Sequence, residues 1–344
     1  YDYLFGEDAG NKFFAYRPSM IPNKDLGWEI SRTANFGVDF GLWNNRISGY
    51  IEGYITKTSD LLMERTLPFF TGFSKVWQNI GKTENKGIEL NIQANTLKTK
   101  SFSWETTVTF ARNWNKITEL LGGGDIRNNS WFIGKPLQVH YNYEMIGVWQ
   151  LGEEKEAQKY GAIPGDIKVK DQNNDGSIGE LDKVILGQKD PKIIASLLNS
   201  FRFGAFDASI NLNMNFGSLI HPNTYASLIT RDGLRWMPSN FKYWTPDNPT
   251  NEYTRADKLS GYDPFAGTGG YMKGDYIKIQ DITLGYDFSK IMPKNWKILR
   301  ARLYAQVRNL GYIYKACKND VSPEAPDFDY NIPTTYTMGI NIDF

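Results

Sequence analysis

The sequence predicts an all-β fold: a run of antiparallel strands forming part of a transmembrane β-barrel, with long loops on one side. Three observations carry this reading. Polar and apolar residues alternate with period 2 along most of the chain, several alternating runs reach about ten residues or more, and the connections between them alternate between short and long.

The alternation is plainest from Asp207 to Phe216, where Ala208, Ile210, Leu212, Met214 and Phe216 share one face and Asp207, Ser209, Asn211, Asn213 and Asn215 the other. Ile88, Leu90, Ile92 and Ala94 alternate in the same way with Glu89, Asn91, Gln93 and Asn95. Leu299, Ala301, Leu303, Ala305 and Val307 alternate with Arg300, Arg302, Tyr304, Gln306 and Arg308, and the pattern returns in Phe36 to Leu42 and Tyr336 to Phe344. Strands are expected at about 28–43, 46–60, 85–97, 101–117, 193–203, 206–217, 275–289, 297–308 and 334–344. Strands of soluble proteins centre near ~5–6 residues, whereas a tilted strand needs ~9–11 to cross a bilayer.

Short turns are expected at Asn44-Asn45, Leu97 to Lys100, Gly204-Ala205 and Ser289 to Trp296, and long connections at 61–84, 118–192, 218–274 and 309–333. If the chain ends in the periplasm, the parity counted back from Phe344 puts every short turn below the membrane and every long loop outside, as in outer-membrane barrels. Nine strands form an open sheet with unpaired edges that hydrocarbon cannot satisfy, which points to part of a larger barrel. Aromatic residues such as Tyr50, Tyr54, Trp104, Phe110, Trp114, Phe201, Phe203, Tyr276 and Tyr286 lie where interfacial girdles are needed. The competing fold is a soluble β-sandwich with aromatic packing.

Composition narrows the function. The 344 residues carry 39 Lys+Arg against 38 Asp+Glu, a formal charge of +1, so no basic excess points to nucleic acid. Hydrophobic residues make up 41% and aromatics 15%, with a mean hydropathy of −0.47, a polar chain rich in rings. The longest aliphatic run, around Ile193 to Leu198, is far short of a spanning helix. Cys317 is the only cysteine, which excludes an intrachain disulfide or a cysteine-based zinc site, and no signal-peptide pattern opens the chain at Tyr1.

Several stretches together resemble the C-terminal barrel of SusC/RagA-type TonB-dependent outer-membrane transporters. They are Asn35 to Gly41 with Asn45 to Gly49, then Thr58 to Leu62, Leu67-Pro68, Asn79 to Lys82 and Asn85 to Leu90. Pro164-Gly165-Asp166, Asp171 to Asp182, Ile185 to Gly187, Tyr243 to Pro249, Tyr276 to Tyr286, Arg308-Asn309-Leu310 and the terminal strand ending on Phe344 follow in order. The resemblance implies a bacterial outer-membrane protein with a 22-stranded, plugged barrel, of which residues 1–344 are the C-terminal segment; the plug and N-terminal strands would lie outside this sequence. It further implies a SusD-like surface lipoprotein lid, energy from the TonB complex, an oligosaccharide or oligopeptide cargo, and a dimer of transporter–lid pairs as one possible assembly. No covalent chemistry is expected.

The sharpest local motif, Asp171 to Asp182, fits a calcium loop: oxygens from Asp171, Asn173 and Asp175 at positions 1, 3 and 5, Gly176 at 6 and Asp182 at 12. Asp182 replaces the usual bidentate Glu, and the alternative is an Asx-stabilised turn without metal. A bound calcium would stiffen an extracellular loop rather than catalyse. His140 and His221 are far apart in sequence and lack neighbours at ligand spacing. Gly122-Gly123-Gly124 and Gly267 with Gly269-Gly270 lack the context of a phosphate loop, and no nucleophile elbow is present. Loop 218–274 carries Trp236, Phe241, Tyr243, Trp244, Tyr253 and Tyr262. Trp236, Tyr243 and Trp244 are the candidates for substrate or lid contact, with packing of the loop on itself as the alternative. Rival functions are an adhesion barrel that displays its loops and an outer-membrane barrel enzyme.

Overall fold

A computed structural model describes residues 2–8, 11–17, 21–230, 242–255, 265, 267–293, 298–318, 321–327 and 332–343. In chain order the strands are β1 (Asp2–Asp8), β2 (Asn11–Arg17), β3 (Ile30–Leu42), β4 (Ile47–Thr66), β5 (Lys75–Lys98), β6 (Phe102–Leu120), β7 (Val139–Tyr143), β8 (Met145–Val148) and β9 (Ile167–Val169). They continue with β10 (Lys183–Gln188), β11 (Ile193–Phe203), β12 (Phe206–Phe216), β13 (Leu219–Ile220), β14 (Met272–Lys273), β15 (Tyr276–Asp287), β16 (Arg300–Lys315) and β17 (Thr335–Asp343). Two short helices, α1 (Glu154–Lys159) and α2 (Asn223–Thr230), lie in the connections. No described helix is long and apolar enough to cross a membrane.

Nine strands form one sheet in the order β17-β16-β15-β12-β11-β6-β5-β4-β3. These are the nine strands expected from the alternation, in sequential neighbour order. The β3–β4 turn holds Trp43, Asn44 and Asn45 at φ 51°, 55° and 60°, closed by Arg46 N–H donating to the Trp43 carbonyl at 3.2 Å. This left-handed backbone twists with the strands, and Asn tolerates it better than most residues.

The register aligns the apolar positions into rows. Phe201, Leu197 and Ala195 of β11 face Ala208, Leu212 and Met214 of β12 and, on the other side, Trp104, Val108 and Phe110 of β6. Many apolar side chains of this face are uncovered: Leu284 is 60% exposed, Phe206 60% and Met338 78%. In a β-sandwich a second layer would cover such residues, so the exposure fits a face turned to lipid. Asn199 breaks the apolar row and is satisfied by the Trp104 indole N–H at 2.9 Å and the Thr106 hydroxyl at 2.8 Å. On the opposite face Arg302 makes a two-pronged contact with Asp207, Nε to Oδ1 at 2.8 Å and Nη2 to Oδ2 at 2.5 Å. Gly285 lies against this pair, where a Cβ would come within 2.6 Å of both partners.

The expected loop 61–84 is instead largely strand, because β4 runs on to Thr66 and β5 begins at Lys75. The connection narrows to residues 67–74, with a 3-10 turn at Phe69–Thr71. The hairpin continues past Asp60, whose backbone is left-handed at φ 57° and whose carbonyl accepts from the Asn79 side-chain amide at 2.7 Å. The strands β1 and β2 pair from Asp2↔Arg17 to Asp8↔Asn11 and were not expected from alternation.

The chain divides into two compact units. The first comprises residues 1–36, 52–88 and 113–139, with a small core of Met63, Val76, Ile80, Ile117, Leu120 and Phe132. The second comprises 37–51, 89–112 and 140–344 and contains the strand pairs β11 to β17 and the loop segments with β7 to β10, α1 and α2.

Adjacent positions of β12 give opposite outcomes on substitution. Leu212→Arg places a cation on the lipid face and is expected to destabilise the full-length barrel by about 2–4 kcal/mol, whereas Asn213→Arg on the lumen side costs less than about 1 kcal/mol. Denaturant unfolding in lipid vesicles checks this; equal effects would contradict the assigned faces.

Candidate functional site: the loop cluster of the second unit

The long connections of the second unit fold into a cluster of short strands and turns. Strand β8 pairs with β9, from Met145↔Val169 to Val148↔Ile167, and the chain between them turns through α1. Trp149 N–H donates to the Asp166 carbonyl at 2.9 Å and Gly165 N–H to the Trp149 carbonyl at 2.7 Å, closing this excursion at its base. Trp149 is 5% exposed, stacked on Tyr160 with ring centroids 6.0 Å apart, and has the Lys168 ammonium 4.3 Å from its ring centre. Lys168 also pairs with Glu153 at 2.7 Å, which holds that carboxyl below its usual range.

The segment 242–255 docks onto this excursion. The Trp244 indole N–H donates to Gln150 Oε1 at 2.8 Å, and the Gln150 amide donates to the carbonyls of Val148 at 2.8 Å and Thr250 at 3.1 Å. Asn251 Oδ1 accepts Val148 N–H at 3.2 Å, and Arg255 Nε donates to Asp166 Oδ1 at 2.7 Å. Gly165 sits under both docking residues at φ +92°, and a Cβ there would lie 2.6 Å from Trp244 and from Arg255. Trp244 is therefore a buried packing residue of the loop, 7% exposed. Tyr243 is half-buried, and its ring meets Tyr253 edge-on at 6.1 Å. Trp236, Phe241 and Tyr262 lie outside the described residues.

A second junction joins β7, β13 and the segment around Tyr271. His140 Nε2 lies 2.8 Å from the Leu219 carbonyl and His221 Nε2 3.0 Å from the Gly269 carbonyl. Carbonyls only accept, so each Nε2 carries the proton. The Tyr271 ring stacks on His221 at 4.1 Å and meets His140 edge-on at 5.1 Å, leaving the two imidazoles 6.3 Å apart. Burial pushes both histidines below the usual imidazole range and the Tyr271 phenol up. Their spacing in the chain gave no hint of this meeting.

Beside these junctions lies a cavity of about 460 Å³ with Glu144, Met145, Leu219, Tyr225, Glu252 and Lys318 in its wall. Glu252 accepts from Lys318 at 2.8 Å and from the Tyr225 hydroxyl at 3.2 Å. Burial opposes the Glu252 charge, but these donors, with Tyr253, hold the carboxyl below its usual range. Tyr225 packs with Cys317 and Val321, so the cysteine is a buried core residue 6% exposed. Further along, Lys278, 3% exposed, pairs with Glu324 at 2.7 Å, and the Tyr312 hydroxyl donates to the same carboxylate at 2.7 Å. Lys278 is an important buried charge that the alternating pattern did not single out.

In the Asp171–Asp182 loop the carboxylates are bonded from within. Asp171 accepts from Asn174 N–H at 2.6 Å and Gly176 N–H at 2.9 Å, with Asn174 at φ 58° and Gly176 at φ 83°. Asn173 Oδ1 accepts Asp175 N–H at 2.9 Å, and Asp175 accepts the Ser177 hydroxyl and N–H, both at 2.8 Å, which lowers its pKa. Asp182, 1% exposed, accepts Gln172 N–H at 2.8 Å and Gly179 N–H at 2.7 Å. Among the described residues no three of His, Cys, Asp or Glu converge on a point where they could hold a metal.

Two outcomes follow from this geometry. Gly165→Val forces a β-branched residue to a left-handed φ and into Trp244, and should raise the rate of proteolysis in 242–255 at least tenfold while the barrel keeps its denaturant resistance. The histidine junction is expected to weaken with acid: both folded pKa values lie below the unfolded value of about 6.5, so stability is full above that pH and falls as pH drops through the folded values. Hydrogen exchange of residues 219–221 and 269–271 at pH 7 and pH 5 measures this, and His140→Gln should flatten the dependence.

Residues 4–310 match the family described as TonB dependent receptor-like, beta-barrel. A TonB-dependent receptor of Formosa agariphila is 27% identical over 365 residues, covering 95% of this chain and 36% of that receptor. The TonB-dependent receptor SusC of Bacteroides thetaiotaomicron is 28% identical over 352 residues, covering 97% of this chain and 34% of SusC. The structure of the RagAB peptide transporter superposes with a TM-score of 0.78 at 20% identity, covering 99% of this chain and 38% of that one. The chain thus spans about a third of the length of these relatives, and it belongs to the TonB-dependent receptor β-barrel family of the outer membrane.

Proposed function

We infer that this chain is the C-terminal β-barrel segment of a TonB-dependent importer that carries nutrients across the outer membrane with a SusD-like lipoprotein as its lid. The observation that carries this is the nine-stranded antiparallel sheet with an uncovered apolar face in a chain matched over residues 4–310 to the receptor-barrel family. A plug and the first strands, supplied by chain outside these residues, complete the barrel and contact TonB. The loop cluster supplies the surface on which lid and cargo meet, and no covalent step is involved.

Oligosaccharide is the first reading for the cargo. Oligopeptide is favoured by one observation: the cavity wall combines the carboxylates of Glu144 and Glu252 and the Lys318 ammonium with Met145 and Leu219, groups suited to charged ends and apolar side chains. Native mass spectrometry of the gently extracted complex tests the importer. A longer chain bound to a lipoprotein, with glycan or peptide released on activation, is expected. A full-length protein without a plug, binding no lipoprotein and displaying its loops alone, would favour the adhesion alternative.

Calcium in the Asp171–Asp182 loop belongs to the same proposal. The spacing of Asp171, Asn173, Asp175 and Asp182 supports it, and binding would exchange some of the internal N–H bonds for metal contacts. Calorimetry on the intact protein should register calcium binding at or below millimolar concentration and its loss in Asp171→Asn/Asp175→Asn; no heat in the parent protein would leave the loop as an Asx-stabilised turn.

A further inference from the structure

In the second unit a strap of loop covers a lysine of the sheet. Lys278 of β15 pairs with Asn213 of β12 on one side and with Tyr312 of β16 on the other. Directly opposed residues share a face of a sheet, so Lys278 and Tyr312 stand with Asn213 on the lumen side. Asn211, Asn213 and Asn215 of that face are half-buried, whereas Lys278 is 3% exposed. Residues 321–327, part of the connection between β16 and β17, bring it a partner.

The strap is anchored on either side of Glu324. Val321 packs against Tyr225 and Cys317, and its carbonyl accepts from Lys315 Nζ at 2.9 Å. Asp327 Oδ1 accepts the Asn223 N–H at 2.5 Å, at the start of α2. Between these anchors Glu324 Oε2 accepts from both Lys278 Nζ and the Tyr312 hydroxyl, each at 2.7 Å. Among the described residues it is the one carboxylate within ion-pair distance of Lys278. The Tyr276 ring meets Tyr312 edge-on at 5.5 Å, and its hydroxyl accepts from the Asn215 amide at 2.8 Å, which fixes the wall behind the pair.

Glu324 is held differently from its anchors. The residue as a whole is exposed while its side chain is only 21% exposed, so the main chain lies at the surface and the carboxylate reaches inward. Rotation about its side-chain bonds withdraws the carboxylate with Val321 and Asp327 still in place. Withdrawal strands a buried ammonium and a phenol without their acceptor, which is costly unless another anion enters. A carboxylate carried by a ligand restores both bonds. A neutral ligand restores neither charge nor geometry.

We propose that Lys278 and Tyr312 form a carboxylate-binding site in the lumen wall, which Glu324 fills as a built-in stand-in until the carboxylate of a cargo molecule, a sugar acid's or a peptide's, displaces it. Calling this ligand cargo rests on the importer reading; the exchange of one carboxylate for another rests on the geometry of the site.

Calorimetry on the full-length transporter with tetragalacturonate and tetraglutamate, each compared with its methyl ester, tests the exchange. At least one acid should bind the parent protein about tenfold more tightly than its ester, Glu324→Gln should tighten that acid about tenfold more by removing the competitor, and Lys278→Met should abolish the preference. A pair that only stabilises the fold would give no gain in Glu324→Gln. The acid that gains identifies the source of the carboxylate. Cryo-electron microscopy of the parent protein with that acid, which needs no variant to fold, should show the ligand carboxylate on Lys278 and Glu324 turned to solvent. Equal binding of acids and esters by Glu324→Gln, an acid preference that survives Lys278→Met, or Glu324 still on Lys278 with the acid bound would overturn the proposal. A transporter that carries a plug and its lipoprotein but binds acid and ester alike remains an importer without this site, whereas an acid preference lost in Lys278→Met in a barrel without either partner keeps the site and removes the importer.

Discussion

In hydrocarbon every backbone N–H and C=O must be paired within the protein, and this single constraint organises the chain. A strand can meet it only by having a neighbour on each side, which makes the hairpin the repeating unit and ties each strand to the next in sequence. The sheet order from β3 to β17 follows that rule throughout, with sequential strands adjacent wherever a barrel strand is followed by another. Side-chain chemistry is then free to serve only two masters, lipid on one face and lumen on the other. Polar groups that fall on the lipid face, such as Asn199, need local partners, and Trp104 and Thr106 provide them.

That binary demand is also why the membrane part was legible from the sequence. Leu212 and Asn213 differ because their surroundings differ, and the same contrast repeats in every spanning strand. The pattern fades along the continuation of β4 to Thr66 and the start of β5 at Lys75, where apolar residues stand side by side, as in Leu61-Leu62-Met63 and Val76-Trp77, instead of alternating with polar ones. There the hairpin is held by backbone pairing, by Asn79 at Asp60 and by the small core to which Met63, Val76 and Ile80 contribute. Asn309 in the terminal motif behaves similarly: its left-handed φ of 54° and its bond from the side-chain amide to the Pro333 carbonyl at 3.2 Å are turn chemistry within a long strand.

The loop cluster was far less legible. Trp244 stands out in the sequence as an aromatic of a long loop, but the choice between contact and packing depends on Gln150, which nothing local connects to it. His140, Tyr271 and His221 come together from three separate segments, and Lys278 finds Glu324 across a long connection. Sequence periodicity reports which face a residue occupies in its own element. It carries no information about partners that only tertiary folding supplies. The calcium-like spacing at Asp171 is the intermediate case, since the same donors that suit a cation also suit the turning backbone N–H groups of the loop.

The Gln150–Trp244–Asn251 junction also separates two folding events. The β11–β12 hairpin closes through the short turn at Gly204-Ala205, so its pairing can propagate from neighbouring residues at small entropic cost. The junction closes only when segments a large part of the chain apart have already been brought near each other, which places it late in assembly. By the same token its bonds can open without unzipping a single barrel strand. The junction therefore carries its own free energy of opening, distinct from that of the strand pairs β11–β12 and β12–β15.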